Sequence, residues 1–129
     1  MNFCTVAPLT DLRDHPTLAH LQLGMVAGNQ VVVGRHYDEG VIGFFIPDGA
    51  IVPDKLADEM WVRGKLSGKN RNRVKSRERD GVFSSGLFYG SRYFVVESGN
   101  KEYVDSPSWN PSWAEGQDVS QEVGVIFDA

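Results

Sequence analysis

The sequence predicts a mainly β fold, a small OB-like Greek-key β-barrel with one short helix. Three observations support this fold class: short segments alternate between apolar and polar residues, turn-forming residues separate these segments, and a single stretch carries helix signals. A chain of 129 residues is long enough for one domain with a hydrophobic core. We therefore expect a barrel over residues 1–105 and a loop and tail over 106–129 packed on it.

The predicted strands are short and follow one another closely. They cover residues 6–12, 21–25, 31–33, 40–46, 92–97 and 102–104. Gly28-Asn29 lies between two apolar runs and predicts a tight hairpin with a type II′ turn. Gly99-Asn100 predicts another turn before the last strand. Residues 18–23 could instead begin as a helical turn.

The helix is predicted over about residues 53–62. Pro53 suits the first helical turn, and the following Asp54 favours the positive N-terminal end of the helix dipole. The side chains that we expect to face the core are Leu56, Met60 and Trp61.

The C-terminal region differs from the rest of the chain in composition. Residues 106–113 contain two prolines among polar residues and predict a loop, which we expect Trp109 and Trp113 to fasten to the barrel. Asp118 and Gln121 have the spacing of a helix cap and predict one helical turn in the tail.

Positive charge is concentrated in one part of an acidic protein of net charge −4. Eight of the 13 basic residues lie in residues 63–79, the basic segment, where Glu78 is the only acidic residue; they are Arg63, Lys65, Lys69, Arg71, Arg73, Lys75, Arg77 and Arg79. From position 69 to 79 every second residue is basic, so an extended chain would place six basic side chains on one side, about 6.6–6.8 Å apart. A flexible loop would supply the same charge without register.

The basic segment predicts a nucleic-acid-binding surface, because clustered like charges repel one another unless an anion meets them. The alternative is a solvated loop without a partner. Ser84 and Ser85, beside Gly86, could donate hydrogen bonds to a phosphate, or Gly86 could simply allow a tight strand entry. Tyr89 and Tyr93 belong to adjacent aromatic pairs and are predicted as the outward members that stack on bases.

The sequence predicts no catalytic residue, metal site or cofactor site. Cys4 is the single cysteine, and it has no metal-ligand spacing with His15, His20 or His36. We expect His15, which precedes a proline, to lie in a turn or at the surface. The glycines at 64 and 68 fall one residue short of a phosphate-binding loop, and no paired carboxylates support a hydrolase. Without a long apolar run or a secretory signal, a cytoplasmic location away from membranes is expected.

Four stretches in order resemble a known module. They are HPTLAHL (15–21), GVIGFFIPDGAIVPDKLADEM (40–60), GKNRNRVKSRERDGVFSSGLFYG (68–90) and EGQDVSQEVGV (115–125). Together they are similar to the N-terminal OB-like module of Deinococcus-type RNA ligases over about residues 10–125. Ser85 stands where that pattern favours glutamine, and Val41 follows Gly40 where the pattern has aspartate.

This resemblance implies a module that binds RNA ends or nicks in RNA or RNA/DNA duplexes. In such ligases a following nucleotidyltransferase domain carries the lysine that takes AMP, in a Lys-x-Asp-Gly-like motif that no lysine here matches. The chain is therefore expected not to be catalytic alone. It could belong to an ATP-dependent RNA ligase, act with a separate nucleotidyltransferase subunit, or bind on its own. The alternative is a protein-interaction adaptor whose basic segment docks on an acidic partner.

Overall fold

The fold is mainly β, as the sequence predicts. A computed structural model describes residues 2–127, so the last two residues of the predicted tail, 128 and 129, lie outside it. The strands are β1 (Thr5–Pro8), β2 (Thr10–Asp14), β3 (Leu21–Val26), β4 (Asn29–Gly34), β5 (Ile42–Ile46), β6 (Arg77–Arg79), β7 (Val82–Ser84), β8 (Leu87–Gly90), β9 (Arg92–Glu97) and β10 (Asn100–Asp105). The two helices are α1 (Asp54–Glu59) and α2 (Ser120–Val123).

The central sheet has the antiparallel order β1-β5-β8 and is covered on both faces. Phe44 and Phe45 are adjacent on β5, so their rings point to opposite faces, and both rings are buried. Phe44 belongs to a core that includes α1 and Val119, whereas Phe45 belongs to a second core with residues of β4. This sheet therefore separates two hydrophobic cores.

The predicted first strand, residues 6–12, is divided between two sheets. β1 pairs with β5, whereas β2 pairs with β3 in a second antiparallel sheet of order β2-β3-β4. The register of β2 with β3 shifts between Thr10 and Arg13, and Asp11 has a positive φ of 54°. This irregularity changes the direction of the chain within β2, as a β-bulge does.

The three tight hairpins share one turn chemistry. Two-residue loops join β3 to β4 at Ala27-Gly28, β6 to β7 at Asp80-Gly81 and β9 to β10 at Ser98-Gly99, and both loop residues have positive φ in each case. Positive φ at both positions defines a type I′ turn, whose twist suits the flanking strands. The type II′ turn predicted at Gly28-Asn29 is therefore wrong by one residue, because Asn29 already pairs with Val26.

Hydrogen-bonded ladders do not close the described strands into a barrel. The hairpins β6–β7 and β9–β10 form sheets of their own. β4 lies beside β7 and β8, and the Ser85 N–H donates to the Gln30 carbonyl at 2.9 Å across this gap. A closed OB-like barrel therefore stays a prediction.

Helix α1 ends three residues before the predicted boundary at position 62. The Val62 N–H bonds to the Ala57 carbonyl at 2.9 Å and the Trp61 N–H to the Asp58 carbonyl at 3.1 Å. These two bonds are those of a Schellman motif, which ends a helix with a residue of positive φ. That residue is Trp61, with a φ of 58°. Within residues 2–127 neither helix has the length and hydropathy to cross a bilayer.

The predicted loop over residues 106–113 packs against the core of Phe44. Trp109 and Trp113 contact each other edge to face with ring centroids 5.2 Å apart, and Trp113 lies 6.0 Å from Phe44. His15, expected in a turn or at the surface, is buried in a turn, where its Nδ1 accepts the backbone N–H groups of Thr17 and Leu18. The histidine thus stabilises the turn between β2 and β3.

Candidate functional site

The basic segment does not form the continuous row that an extended chain would give. Gly64, Gly68 and Arg71 have positive φ and turn the chain between residues 63 and 72. Regular strand structure begins only at β6. The alternation of basic residues therefore keeps their side chains on one side of the chain only over short stretches. The direction of each side chain depends on the contacts that hold the nearby turns.

Val74 anchors the middle of the segment to the core. Its side chain is buried, its N–H donates to the Ala50 carbonyl at 2.8 Å, and its carbonyl accepts the Gly49 N–H at 2.8 Å. Because successive side chains of an extended chain point to opposite sides, burial of Val74 directs Arg73 and Lys75 away from the core. The arginine also donates to the Gly49 carbonyl at 3.3 Å.

Four of the eight cations of the basic segment line one groove of about 170 Å³, the basic groove. Its polar lining consists of Lys65, Arg73, Lys75, Arg77 and Ser84, and among the described residues that line it none is acidic. Arg77 donates to the Lys65 carbonyl at 3.2 Å and to the Ser67 hydroxyl at 3.3 Å, which fixes the guanidinium at the groove wall. The basic groove is therefore a site of concentrated positive charge.

The other four basic residues of the segment lie outside the basic groove. Arg63 forms ion pairs with Asp54 at 3.3 Å and Asp58 at 3.0 Å on α1. Arg71 lies with it in a separate depression. Lys69 and Arg79 are exposed. The eight predicted contact residues are therefore divided, and the intramolecular ion pairs neutralise Arg63.

Replacement of Arg63 by alanine is expected to reduce the free energy of unfolding by less than about 1 kcal/mol, because both ion pairs are exposed to solvent and screened. Urea denaturation at low and high salt measures this effect, with Lys55→Ala, on the helix that carries Asp54 and Asp58, as the control. A loss above about 2 kcal/mol, or a loss insensitive to salt, would show that the pairs have a larger structural role.

The two predicted serines have different surroundings. Ser84 lines the basic groove, whereas the Ser85 hydroxyl lies 3.3 Å from the Ser76 hydroxyl, to which it donates. Ser76 is in turn held by Asp48, whose carboxylate accepts the Ser76 N–H at 2.8 Å and the Ser76 O–H at 3.1 Å. Gly86 instead allows the tight strand entry that was the alternative to phosphate binding, because a Cβ at this position would lie 2.4 Å from the Phe45 ring.

The prediction that Tyr89 points outward is wrong. Tyr89 is 3% exposed and stacks on Phe44 with ring centroids 4.9 Å apart. Its hydroxyl donates to a Glu59 carboxylate oxygen at 2.6 Å and accepts the Ser108 N–H at 2.9 Å. Burial raises the pKa of this phenol well above its ordinary value. Tyr89 cannot stack on a base because β8 is covered on both faces.

Tyr93 belongs to a group of three rings, the aromatic cluster, with His36 and Trp61. The Trp61 ring meets the other two edge to face, at 5.2 Å from His36 and 5.1 Å from Tyr93. Burial lowers the pKa of His36, which favours the neutral imidazole in this packing. Tyr93 is half-buried, so it supports the cluster more than it presents a free face.

Trp61 is the exposed member of the aromatic cluster, at 52% exposure, where the sequence predicts a core residue. Its positive φ is a conformation that usually requires glycine and disfavours other residues by about 1–2 kcal/mol. The turn points the indole away from the core that Leu56 enters. The sequence carries no signal for this orientation. A helix that continues to position 62 is expected to place Trp61 next to Met60, facing the core.

A second groove, of about 320 Å³, continues from the basic groove to the aromatic cluster. We call it the aromatic groove; it is lined by His36, Tyr37, Met60 and Trp61 among others. The two grooves share four lining residues, namely Val32, Val62, Lys65 and Leu87. Positive charge and an exposed indole therefore lie along one continuous depression.

The fold is similar to part of the RNA ligase of Naegleria gruberi. For that ligase with PPi, the TM-score is 0.74 at 15% sequence identity, over 100% of this chain and 36% of the ligase chain. A mutant with ATP and Mn gives 0.76 at 15%, over 100% and 36%. An apo mutant gives 0.73 at 15%, over 97% and 34%. At this identity the likeness shows a shared fold.

The chain spans about a third of the length of those ligase chains. No protein-family model matches the sequence. No curated protein matches it either.

Proposed function

We propose that this chain is a nucleic-acid-binding module of RNA-ligase type, which binds the backbone of RNA, or of an RNA/DNA duplex at an end or nick, in the basic groove. The observation that carries the proposal is the convergence of Lys65, Arg73, Lys75 and Arg77 on one groove whose described lining contains no carboxylate. A phosphate chain is the anion that best matches several cations gathered in one groove.

The fold supports the same proposal. The structural likeness to an RNA ligase agrees with the resemblance of four sequence stretches to the OB-like module of Deinococcus-type RNA ligases. Fold alone does not establish function, so the charged groove remains the main support.

Ligation would need residues that this chain does not supply. None of its lysines lies in a Lys-x-Asp-Gly-like motif. We propose that a nucleotidyltransferase, on a separate subunit or on the same longer protein, performs the chemistry while this module holds the RNA. The module would then lower the substrate concentration that the catalytic unit needs, by adding phosphate contacts.

The double variant Lys75→Glu, Arg77→Glu is expected to bind a labelled single-stranded RNA about tenfold more weakly for each reversed charge. The slope of log affinity against log salt should fall in magnitude by about 0.7 for each lost phosphate contact. Fluorescence anisotropy over a range of salt concentrations measures both quantities. A nicked duplex and a DNA strand of the same sequence complete the ligand set.

The matched control is Lys69→Glu, Arg71→Glu, which makes the same change of net charge in the same segment but outside the basic groove. It is expected to have a much smaller effect. Equal losses of RNA affinity in the two double variants would show a general effect of net charge and would contradict specific binding in the basic groove. If no RNA or DNA binds at low salt but a protein complex is isolated, the adaptor alternative with an acidic partner is correct.

A further inference from the structure

We propose that Trp61 is a base-stacking residue: a base whose phosphate lies in the basic groove places its ring on the exposed indole in the aromatic groove. This inference rests on the proposed function and adds a contact to the base, which the charged groove alone does not provide. Stacking is tolerant of sequence, because every base has a π face. The site is therefore expected to favour single-stranded segments or unpaired ends, whose bases are free to leave a duplex stack.

The first support is the exposure of the indole. Trp61 is 52% exposed, so its indole is accessible to a ligand, whereas Leu56 and Ala57 of the preceding helix α1 are buried. The left-handed backbone at Trp61 is what turns its side chain out of the core. Glycine would adopt this conformation without strain, so a tryptophan here is not explained by the helix end.

The second support is the rigid position of the ring. His36 and Tyr93 both meet it edge to face, with interplanar angles of 83° and 86°. These two contacts hold the indole in one orientation, and its 52% exposure leaves part of the ring open to a ligand. Because the ring is already ordered, stacking on it would lose little side-chain entropy.

The third support is the continuity of the two grooves. Lys65 lines both of them, so a phosphate bound at its ammonium would lie between the cations of the basic groove and the indole. A nucleic-acid strand needs this combination of a charged track with an aromatic platform beside it. The other three shared lining residues, Val32, Val62 and Leu87, are apolar, and they suit the edge of a base better than another phosphate.

Trp61→Gly tests the inference, since it removes the ring and keeps the backbone conformation that ends α1. With a labelled single-stranded RNA of about ten nucleotides, we expect a loss of affinity of about 5- to 150-fold, the range for one stacked base. The slope of log affinity against log salt should be unchanged, because no charge is altered. Trp61→Phe keeps a π face and should restore most of the affinity.

Two controls separate stacking from phosphate binding and from protein stability. An oligonucleotide of abasic sugars should bind the wild type and Trp61→Gly equally well. Phe3→Ala removes an exposed ring that lines neither groove and should leave RNA binding unchanged. Suppose that Trp61→Gly binds RNA as tightly as the wild type, whereas the double variant Lys75→Glu, Arg77→Glu binds it weakly. The stacking proposal is then wrong, and binding in the basic groove is supported. If the wild type binds no oligonucleotide at low salt, both are wrong.

A measurement on the unmodified protein completes the test. Irradiation of an iodouracil-containing RNA bound to the wild type should cross-link it to the peptide that contains Trp61, because stacked aromatic side chains lie closest to the base. Mass spectrometry identifies the site. Cross-links confined to peptides that lack Trp61 would overturn the inference, even if the affinity data had favoured it.

Discussion

Replacement of Phe44 by alanine is expected to reduce the free energy of unfolding by about 3–5 kcal/mol, the range for a buried phenylalanine. A domain of this size has a total stability of only about 5–15 kcal/mol. The variant should therefore be close to unfolded at the lower end of that range. This loss is several times larger than the one expected for Arg63→Ala, whose ion pairs are exposed to solvent.

The size of this effect follows from the place of Phe44 in the structure. The ring is fully buried, stacks on Tyr89 with an interplanar angle of 17°, and meets Trp113 edge to face. It thus links the central sheet to the loop over residues 106–113. Loss of the ring leaves a cavity beside Tyr89 and Trp113. Neither side chain can move in to fill it, because hydrogen bonds hold Tyr89 and the packing of the loop holds Trp113.

Urea denaturation followed by circular dichroism measures the loss, and acrylamide quenching of tryptophan fluorescence reports whether the loop is released. Phe83→Ala is the matched control, since Phe83 is also on a strand but is 56% exposed. The control should lose less than about 1 kcal/mol. Comparable losses in the two variants would show that Phe44 is not the centre of this core.

Stability is expected to fall steeply above about pH 9, and Cys4 should be a major cause. Burial raises the pKa of the Cys4 thiol from 9.0 to about 12. Burial also raises the pKa of Tyr89 and of Tyr37. In each case the folded state holds a proton that the unfolded state releases, so stability is fully present below the unfolded pKa and is lost as pH rises toward the folded pKa.

Each pH unit between the two pKa values corresponds to about 1.4 kcal/mol for one group. Cys4 alone should therefore remove about 2 kcal/mol by about pH 10.5, and the two tyrosines add to the loss above about pH 10. Urea denaturation at pH 8 and at pH 10.5 gives the difference. The direction is the same for all three groups, so their effects reinforce one another.

Cys4→Ala isolates the contribution of the thiol. The variant should be somewhat less stable than the wild type at pH 8, because a buried sulfur is lost, but its stability should fall by about 2 kcal/mol less on going to pH 10.5. Identical pH dependence in the two proteins would assign the alkaline loss to other groups. Slow alkylation of Cys4 in the folded protein is an independent check of its protonated, buried state.

Local sequence signals predicted the individual elements well where the structure depends on neighbouring residues. The strand over 92–97 lies where the pattern of side chains placed it, and the turn before β10 lies one residue earlier than predicted, at Ser98-Gly99. Asp80-Gly81 is an equally clear hairpin signal, and it would have identified β6 and β7 inside the basic segment. Each of these features depends on a few adjacent φ and ψ angles, which the residue types restrict directly.

Residue types and their order were enough to establish the mainly β class, the turns before β4 and β10 to within one residue, and the concentration of positive charge in residues 63–79. Long-range packing was needed to establish which four of the eight cations share a groove, that Tyr89 is buried and that Trp61 is exposed. The physical reason is that burial depends on what packs on the second face of a strand or helix. For β8 that partner is a loop about 20 residues away, and for Arg63 it is two carboxylates on α1.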